Sequence, residues 1–432
     1  MSDAKPTWTE TTLEQVSSAI TSGGTPTSGD KRYYVEADGY PFAKTEDLSR
    51  SSSKYLSECE LKVTDLALKN SSAKLYPAGT VLVSMYGTIG LPKVTSIELA
   101  ANQALCALMP PFSCDVNFLY HTLCFIRPEW LKDSGQTTQA NISGRAVKKR
   151  VLQLPPRGEQ KTIANILDTL DTQIRQTEAI IAKLQQVKQG LLHDLLTRGI
   201  DANGQLRPPR DQAPELYKES PLGWIPREWD VKKLSDVSNK ISDGVHYAVE
   251  RSEEGVPFLF VSCIRNGYID WNKAAFTTEK TFNEISKRSR PHRGMVLFTV
   301  VGSYGHAAYV DRDMNFGFER NIAYISPDEE QINSEYLFHW MSSDFVMRQT
   351  EKVVIGNAQK VLTLNELKGL YLKRPSPSEQ SLICTFGYQQ STRLDDERSL
   401  LDKLKKQKSG LMDDLLTGRV RVNSLINTAK AS

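Results

Sequence analysis

LPPRGEQKTIANILDTLDTQIRQTEAIIAKLQQVKQGLLHDLLTRGI, residues 154–200, decides the fold, because residues 374–420 repeat it as RPSPSEQSLICTFGYQQSTRLDDERSLLDKLKKQKSGLMDDLLTGRV. At a shift of 220, Glu159 and Gln160 fall on Glu379 and Gln380, Leu184 on Leu404, and Lys188 on Lys408. Gly190, Leu191, Asp194, Leu195, Leu196 and Thr197 fall on Gly410, Leu411, Asp414, Leu415, Leu416 and Thr417. A period this long is not a solenoid repeat, whose units run about 20–50 residues. It is a duplicated domain with its helix.

Within the first copy, Ile163, Leu167, Leu170, Ile174, Thr177, Ile181, Leu184, Lys188, Leu191 and Leu195 step by fours and threes. That spacing is the heptad seam of a coiled coil, and a seam requires a partner helix. The second copy runs Ile383, Gly387, Gln390, Leu394, Glu397, Leu401, Leu404, Lys408, Leu411, Leu415. Its first turns are poor, with Phe386 and Tyr388 as alternative packing residues. The obvious partner of each copy is the other, with Lys188 and Lys408 as matched register-setting polar positions. Prolines lead into both segments, and Gly199 and Gly418 stop them. About 38 helical residues at ~1.5 Å each give a rod of roughly 55–60 Å. An ordinary interdomain helix pair is the plainer reading.

The repeat extends outward. Trp8, Leu13, Val16, Ile20 and Gly23 match Trp229, Leu234, Val237, Ile241 and Gly244; GTVLVSMYGTIG (79–90) matches GMVLFTVVGSYG (294–305); NFLYH (117–121) matches EYLFH (335–339). VLVSMYGTIG, VPFLFVSCI and MVLFTVV read as strands, LYHTLCFI and EYLFHWMSSDFVMRQ as short helices. Between the anchors the halves differ, TSGGTPTSGDKRYY against SDGVHYAVERSEEG. Two readings stand equal here: similar platforms with different recognition surfaces, or simple drift after duplication.

A chain of 432 residues with 39% hydrophobic and 24% charged residues fits an ordinary globular protein with real cores. A net charge of +3 is not that of a stand-alone nucleic-acid binder, so DNA contact would rest on local patches or on partners. The six cysteines form no CxxC pair and no zinc spacing, and fit reduced cytosolic thiols. The polar start MSDAKPTWTE is no signal peptide, and no apolar run approaches a membrane span of roughly 18 residues. A cytoplasmic location is expected. GTPTSGDK (24–31) has Asp30 where a phosphate loop needs lysine, and no HExxH or nucleophilic triad is present. His121 and His339, at matched places on apolar faces, read as packing residues. No catalytic residue and no metal site is expected.

Polar and basic clusters suited to phosphates and base edges do occur. The candidate DNA-binding residues are Lys31, Arg32, Gln136, Gln139, Asn141, Arg145, Lys148 and Lys149 in the first half. In the second half they are Arg288, Arg290, Arg293, Asn357, Gln359 and Lys360. A solvated surface run is an equally good reading of any single cluster.

The layout of module, EQ-headed helix ending in LLxDLLT, second module and second such helix resembles the specificity subunit of type I restriction-modification enzymes over essentially the whole chain. LPPRGEQKTIANILDTLD, QGLLHDLLTRGI, the PSEQ…SGLMDDLLTG copy and the opening W…L…V…SGGTP carry the resemblance. It implies an α+β (mixed α/β) fold with target recognition domains at 1–153 and 220–373, and a pseudo-twofold internal repeat. Helical repeats at 154–200 and 374–420 would pair as an antiparallel coiled coil, with a linker at 201–219 and a tail at 421–432.

Each domain would read one half of a bipartite asymmetric DNA target, and the helices would set the spacer. They would also dock two modification subunits, which carry S-adenosylmethionine and methylate adenine. Restriction subunits, the motor-nucleases with Mg and ATP, would join for phage defence. The chain itself would hold no cofactor and be non-catalytic. Expected coiled-coil and partner-subunit interface residues are Glu159, Gln160, Leu167, Leu170, Ile174, Ile181, Leu184, Leu191 and Leu195. Their counterparts are Glu379, Gln380, Leu394, Leu401, Leu404, Leu411 and Leu415. The second module departs from the family in its DGVHYA turn. A stand-alone bipartite regulator, a diverged methyltransferase or nuclease, and a two-domain adaptor are the competing readings.

Overall fold

The computed structural model describes residues 8–133, 141–265, 267–287, 290–354, 360–423 and 425. The chain divides into two compact units, residues 1–178 with 399–432, and residues 179–398. Each therefore holds one globular module, the start of one long helix and the end of the other.

In the first unit, Thr9–Thr12 pairs antiparallel with Val151–Leu154, so the module closes its own ends before the chain enters the central helix, Arg157–Leu195. Between them lies a five-stranded sheet in the order Ala19–Ser22, Leu105–Met109, Val81–Ser84, Pro92–Thr95, Tyr55–Leu56. Val81–Ser84 is buried throughout because both of its faces are covered. Val81 and Val83 face the helix Val116–Asp133 through Leu119, Leu123 and Trp130, while Leu82 faces a second, mixed five-stranded sheet. This is the period-two alternation of a strand sandwiched between layers.

The second unit repeats the plan. Asp230–Lys233 pairs with Tyr371–Arg374, and a four-stranded sheet runs Ser238–Asp243, Ile322–Pro327, Val296–Thr299, Ala307–Tyr309, the order of the first module. Val296 and Phe298 face the helical side, Leu297 the other layer. The parallel contact of Phe42 and Ala43 with Ala100 and Ala101 returns as Phe258 and Leu259 with Gly317 and Phe318.

The long helices pair antiparallel within each unit. Ile163, Ala164 and Leu167 share a cluster with Leu415 and Leu416 in the first, and Ile383 and Cys384 one with Leu195 and Leu196 in the second. Every seam position named above is buried or partly buried in both the central and the C-terminal helix, Pro377–Leu416. Gly387 is the informative exception to heptad chemistry: a Cβ there would lie 2.6 Å from the His339 Nε2, so the missing side chain is what lets the module's histidine seat on the helix. Tyr388 does not substitute for it and is 68% exposed, whereas Phe386 packs partly on the core.

Within the linker expected at 201–219, Arg207, Ala213 and Tyr217 are buried and Tyr217–Lys218 pairs with Ile225–Pro226. Of the tail expected at 421–432, Arg421 and Val422 close on the central helix. The segment expected as a short helix at LYHTLCFI is 18 residues long. Among the described residues no helix is long and apolar enough to cross a membrane.

Candidate nucleic-acid interface and the helix anchors

At one end of each large sheet the same loops come together. Gly23 N–H donates to the Leu105 carbonyl and Gly24 N–H to Ala101; in the second module Gly244 donates to Ile322 and Val245 to Phe318. A Cβ on Gly23 or Gly244 would collide with backbone carbonyls, so glycine is required at both. The DGVH turn thus keeps these two hydrogen bonds of the GGTP turn, with Val245 in the place of Gly24 and different side chains following. Met85 N–H bonds the Ala104 carbonyl and Ile142 N–H the Met85 carbonyl; Val300 N–H bonds Asn321 and Leu362 N–H bonds Val300. Tyr86 then bridges Asn141 as Val301 bridges Val361, and Ser143 and Thr363 cap the short helices that follow.

The backbone is thus copied while its exposed side chains are not. Thr25, Tyr86, Gln103 and Asn141 are exposed at this end of the first module, with the Thr25 hydroxyl on the Gln103 amide oxygen. His246, Arg320 and Lys360 are exposed in the second, with the Lys360 ammonium 5.6 Å over the Tyr304 ring. His246 meets Asp243 at 2.8 Å. Amides, hydroxyls and a guanidinium on loops held by a rigid sheet are the groups that pair with base edges.

Of the residues expected from sequence, Asn141, Arg145, Lys149 and Lys360 lie on or beside these loops and are exposed; Lys148 is partly buried, 3.8 Å from Glu14. Lys31 is exposed, but Arg32 is held by Asp30 at 2.7 Å, and this hydrogen bond draws the Asp30 carboxyl down to about 2. Arg290 and Arg293 are exposed but stand before the start of Val296–Thr299, at the opposite end of the strand from Tyr304 and Lys360, so the two basic groups of the second module are not brought together. Gln136, Gln139, Arg288, Asn357 and Gln359 lie outside the described residues. Tyr86, Gln103, His246 and Arg320 were missed because they are single polar residues in turns; their matched positions after repeated strands were the available signal.

The model of the type I restriction modification DNA specificity domain matches residues 6–186 and again 226–395. The chain belongs to this family. It is 26% identical to the EcoBI specificity subunit of Escherichia coli over 83% of this chain and 73% of that one. It is 23% identical to the MjaVIII specificity subunit of Methanocaldococcus jannaschii, covering 90% and 88%. A type I restriction-modification S subunit from M. genitalium has the same fold, with a TM-score of 0.55 at 16% identity over 96% of this chain and 98% of that one. A chain from a type I restriction-modification complex gives 0.56 at 15% identity, over 95% and 98%.

The family's paired EQ signature acts as an anchor. Gln160 accepts the Asp115 N–H at 2.7 Å and donates to the Pro155 carbonyl; Gln380 accepts the Asn333 N–H at 2.8 Å and donates to Pro375. Each glutamine thereby ties a module helix to the start of a long helix. Glu159 takes Arg421 through two nitrogens at 2.7 Å and the Val422 N–H. Glu379 takes Arg207, the Ile200 N–H and the Trp229 indole at 2.9 Å. The chain just past the end of each helix is so clamped to the start of the other. Gly199 and Gly418, at φ 64° and 72°, make the turn into these clamps in the left-handed region. All four anchor residues are at most 6% exposed, which places them inside the protein and not on a face open to a partner subunit.

The seam lysines are matched as well. Lys408 bonds Asp171, and Lys188 bonds Ser391 Oγ at 2.8 Å, the residue equivalent to Asp171. Each lies near a buried module histidine. Burial and the Lys188 ammonium push His339 down to about 4. His121 Nε2 lies 2.9 Å from Asp168, whose carboxylate also takes Lys54 at 2.7 Å. Burial opposes ionisation of Asp168, but these two partners outweigh it and hold its pKa below the ordinary value. His121, Asp168 and Asp171 bring three potential ligand atoms within 4.8 Å of one another. The ammonium groups of Lys54 and Lys408 already balance both carboxylates, so a divalent cation would have to displace two lysines.

Proposed function

We infer that this chain is the DNA-specificity subunit of a type I restriction-modification complex and is non-catalytic by itself. The observation that carries the reading is the duplicated end-of-sheet loop cluster, matched in four backbone hydrogen bonds and different in side chains, on two copies of a family domain named for DNA specificity. One scaffold with two different polar surfaces suits a target of two unlike halves.

Each module reads one half-site, with Gln103 and Asn141 against Arg320 and Lys360 as the leading contrasts. Amides favour adenine edges and guanidinium favours guanine. The paired helices hold the half-sites on one face of the duplex, about one turn or ~34–36 Å apart. Two methyltransferase subunits dock on the helices, bring S-adenosylmethionine and methylate an adenine flipped from the stack. Restriction subunits supply the Mg- and ATP-dependent steps, all in the cytoplasm. The names of the relatives favour this over a stand-alone regulator.

The test is co-expression with a modification subunit in a methylation-free host, with modified adenines mapped by single-molecule sequencing. One bipartite motif with a fixed spacer is expected. A soluble complex that methylates nothing would overturn the reading.

A further inference from the structure

Each module touches its helix at a second place, well beyond the EQ anchor. In the first module the brace is Lys54. Its Nζ lies 2.7 Å from both oxygens of Asp168 on the central helix and 2.9 Å from Asn117 Oδ1. The side chain is 11% exposed, and the same carboxylate is held from the module side by the fully buried His121.

Lys54 sits on a stiff mount. Tyr55–Leu56 is the edge strand of the large sheet, paired with Val94 and Thr95; Val94 N–H bonds the Lys54 carbonyl, and the buried Lys93 ammonium bonds the carbonyls of Ser51 and Ser53. Asp168 lies nine residues past Glu159, roughly 13 Å along the helix. The strand that enters the helix and the Gln160 anchor act at its first turn, and beyond it Phe118 packs with Ile163 and Leu167 and His121 meets Asp168, all from the strand and the helix Val116–Asp133. Lys54 adds a contact from a separate element, the far edge of the sheet, and so limits rotation of the sheet about that line of contacts.

The second module repeats the device with other chemistry. The hairpin Ile264–Arg265/Tyr268–Ile269 occupies the equivalent edge, bridging Ala308 through Gly267. Tyr268 donates to Asp395 on the C-terminal helix at 3.0 Å, and its oxygen accepts from Arg398 at 3.4 Å. This brace is exposed where the first is buried.

We propose that Lys54–Asp168 and Tyr268–Asp395 are positioning contacts that fix the angle at which each recognition surface meets DNA, and so set the fidelity of spacer length. This rests on the DNA-specificity reading above. Half-site sequence preference, which lives at the loop end of the sheet, is independent of them.

The test uses the full chain assembled with its methyltransferase subunits and duplexes with the native spacer or one base pair more or fewer. A misplacement near 1 Å costs about 100-fold in rate. Lys54→Met, which leaves the Asp168–His121 bond in place, is therefore expected to shrink the native-to-altered spacer rate ratio at least about tenfold. Half-site discrimination should stay unchanged, and Lys54→Arg should retain the wild-type ratio. Tyr268→Phe and Asp395→Ala, both at exposed positions that spare the fold, should shrink the ratio about threefold, in keeping with a weaker pair. Unchanged spacer ratios in folded Lys54→Met, or in the Tyr268 and Asp395 variants should the first not accumulate, would overturn the proposal. Failure of the wild-type complex to methylate any duplex would instead sink the functional reading.

Discussion

Glu159 and Glu379 are equivalent in sequence and role yet differ in consequence. Arg207 is 9% exposed and bonds Glu228 as well as Glu379, whereas Arg421 is 26% exposed and can turn to water. Glu379→Ala removes one of the two carboxylates on a buried guanidinium and leaves the Ile200 N–H and the Trp229 indole without their acceptor, and should cost about 3–5 kcal/mol. Glu159→Ala loses charged hydrogen bonds without trapping a charge and should cost about 2 kcal/mol. Urea unfolding of the two variants checks the order, which equal losses would contradict. His339 gives the pH dependence. Its folded pKa, about 4, lies below the ordinary 6.5, so the unfolded chain binds more protons between these values. Stability is therefore unaffected above pH 6.5 and falls as pH drops through the window, by about 2 kcal/mol at pH 5. His339→Gln should flatten that slope in unfolding free energies measured from pH 7 to 5; an unchanged slope would show that another group carries it.

At the scale of elements, the long helices were legible in the sequence because period is a one-dimensional signal. The seam from Ile163 to Leu195 could be written down residue by residue. What sat on it could not. Gly387 read as a weak turn, because the compensating residue, His339, lies far away in the chain and only the fold brings the two together. The same holds for Glu159 and Glu379, visible as a motif but with partners 262 and 172 residues distant. Of the interface, the basic runs were legible as composition, but their placement was not: Arg293 and Lys360 belong to opposite ends of one strand, and Arg32 is spent on its neighbour Asp30.

Two glycines of the C-terminal helix make the contrast quantitative. At Gly387 a methyl group meets the His339 ring at 2.6 Å, while at Gly410 nothing lies within 4 Å. Gly387→Ala should destabilise by about 1–3 kcal/mol. Gly410→Ala should stabilise by about 0.5–1 kcal/mol through helix propensity alone. Thermal denaturation of both variants reads the signs directly, and a matching sign would contradict the packing described.

For the whole molecule, duplication explains both the economy of the sequence and its divergence. Anchors, seam lysines, module histidines and glycine turns recur at matched positions, because each maintains the same junction twice. The exposed loop residues do not recur, and this is the difference that two unlike half-sites demand. A net charge of only +3 is what the proposed assembly expects, in which partner subunits share the phosphate contacts.

The most direct measurement is the methylation motif written by complexes that carry Gln103→Ala with Asn141→Ala, or Arg320→Ala with Lys360→Ala, mapped across a genome. Each pair should relax bases in one half-site only, a different half for each pair, and leave the spacer unchanged. Motifs identical to wild type, or both halves altered by one pair, would contradict the assignment of one half-site to each loop cluster.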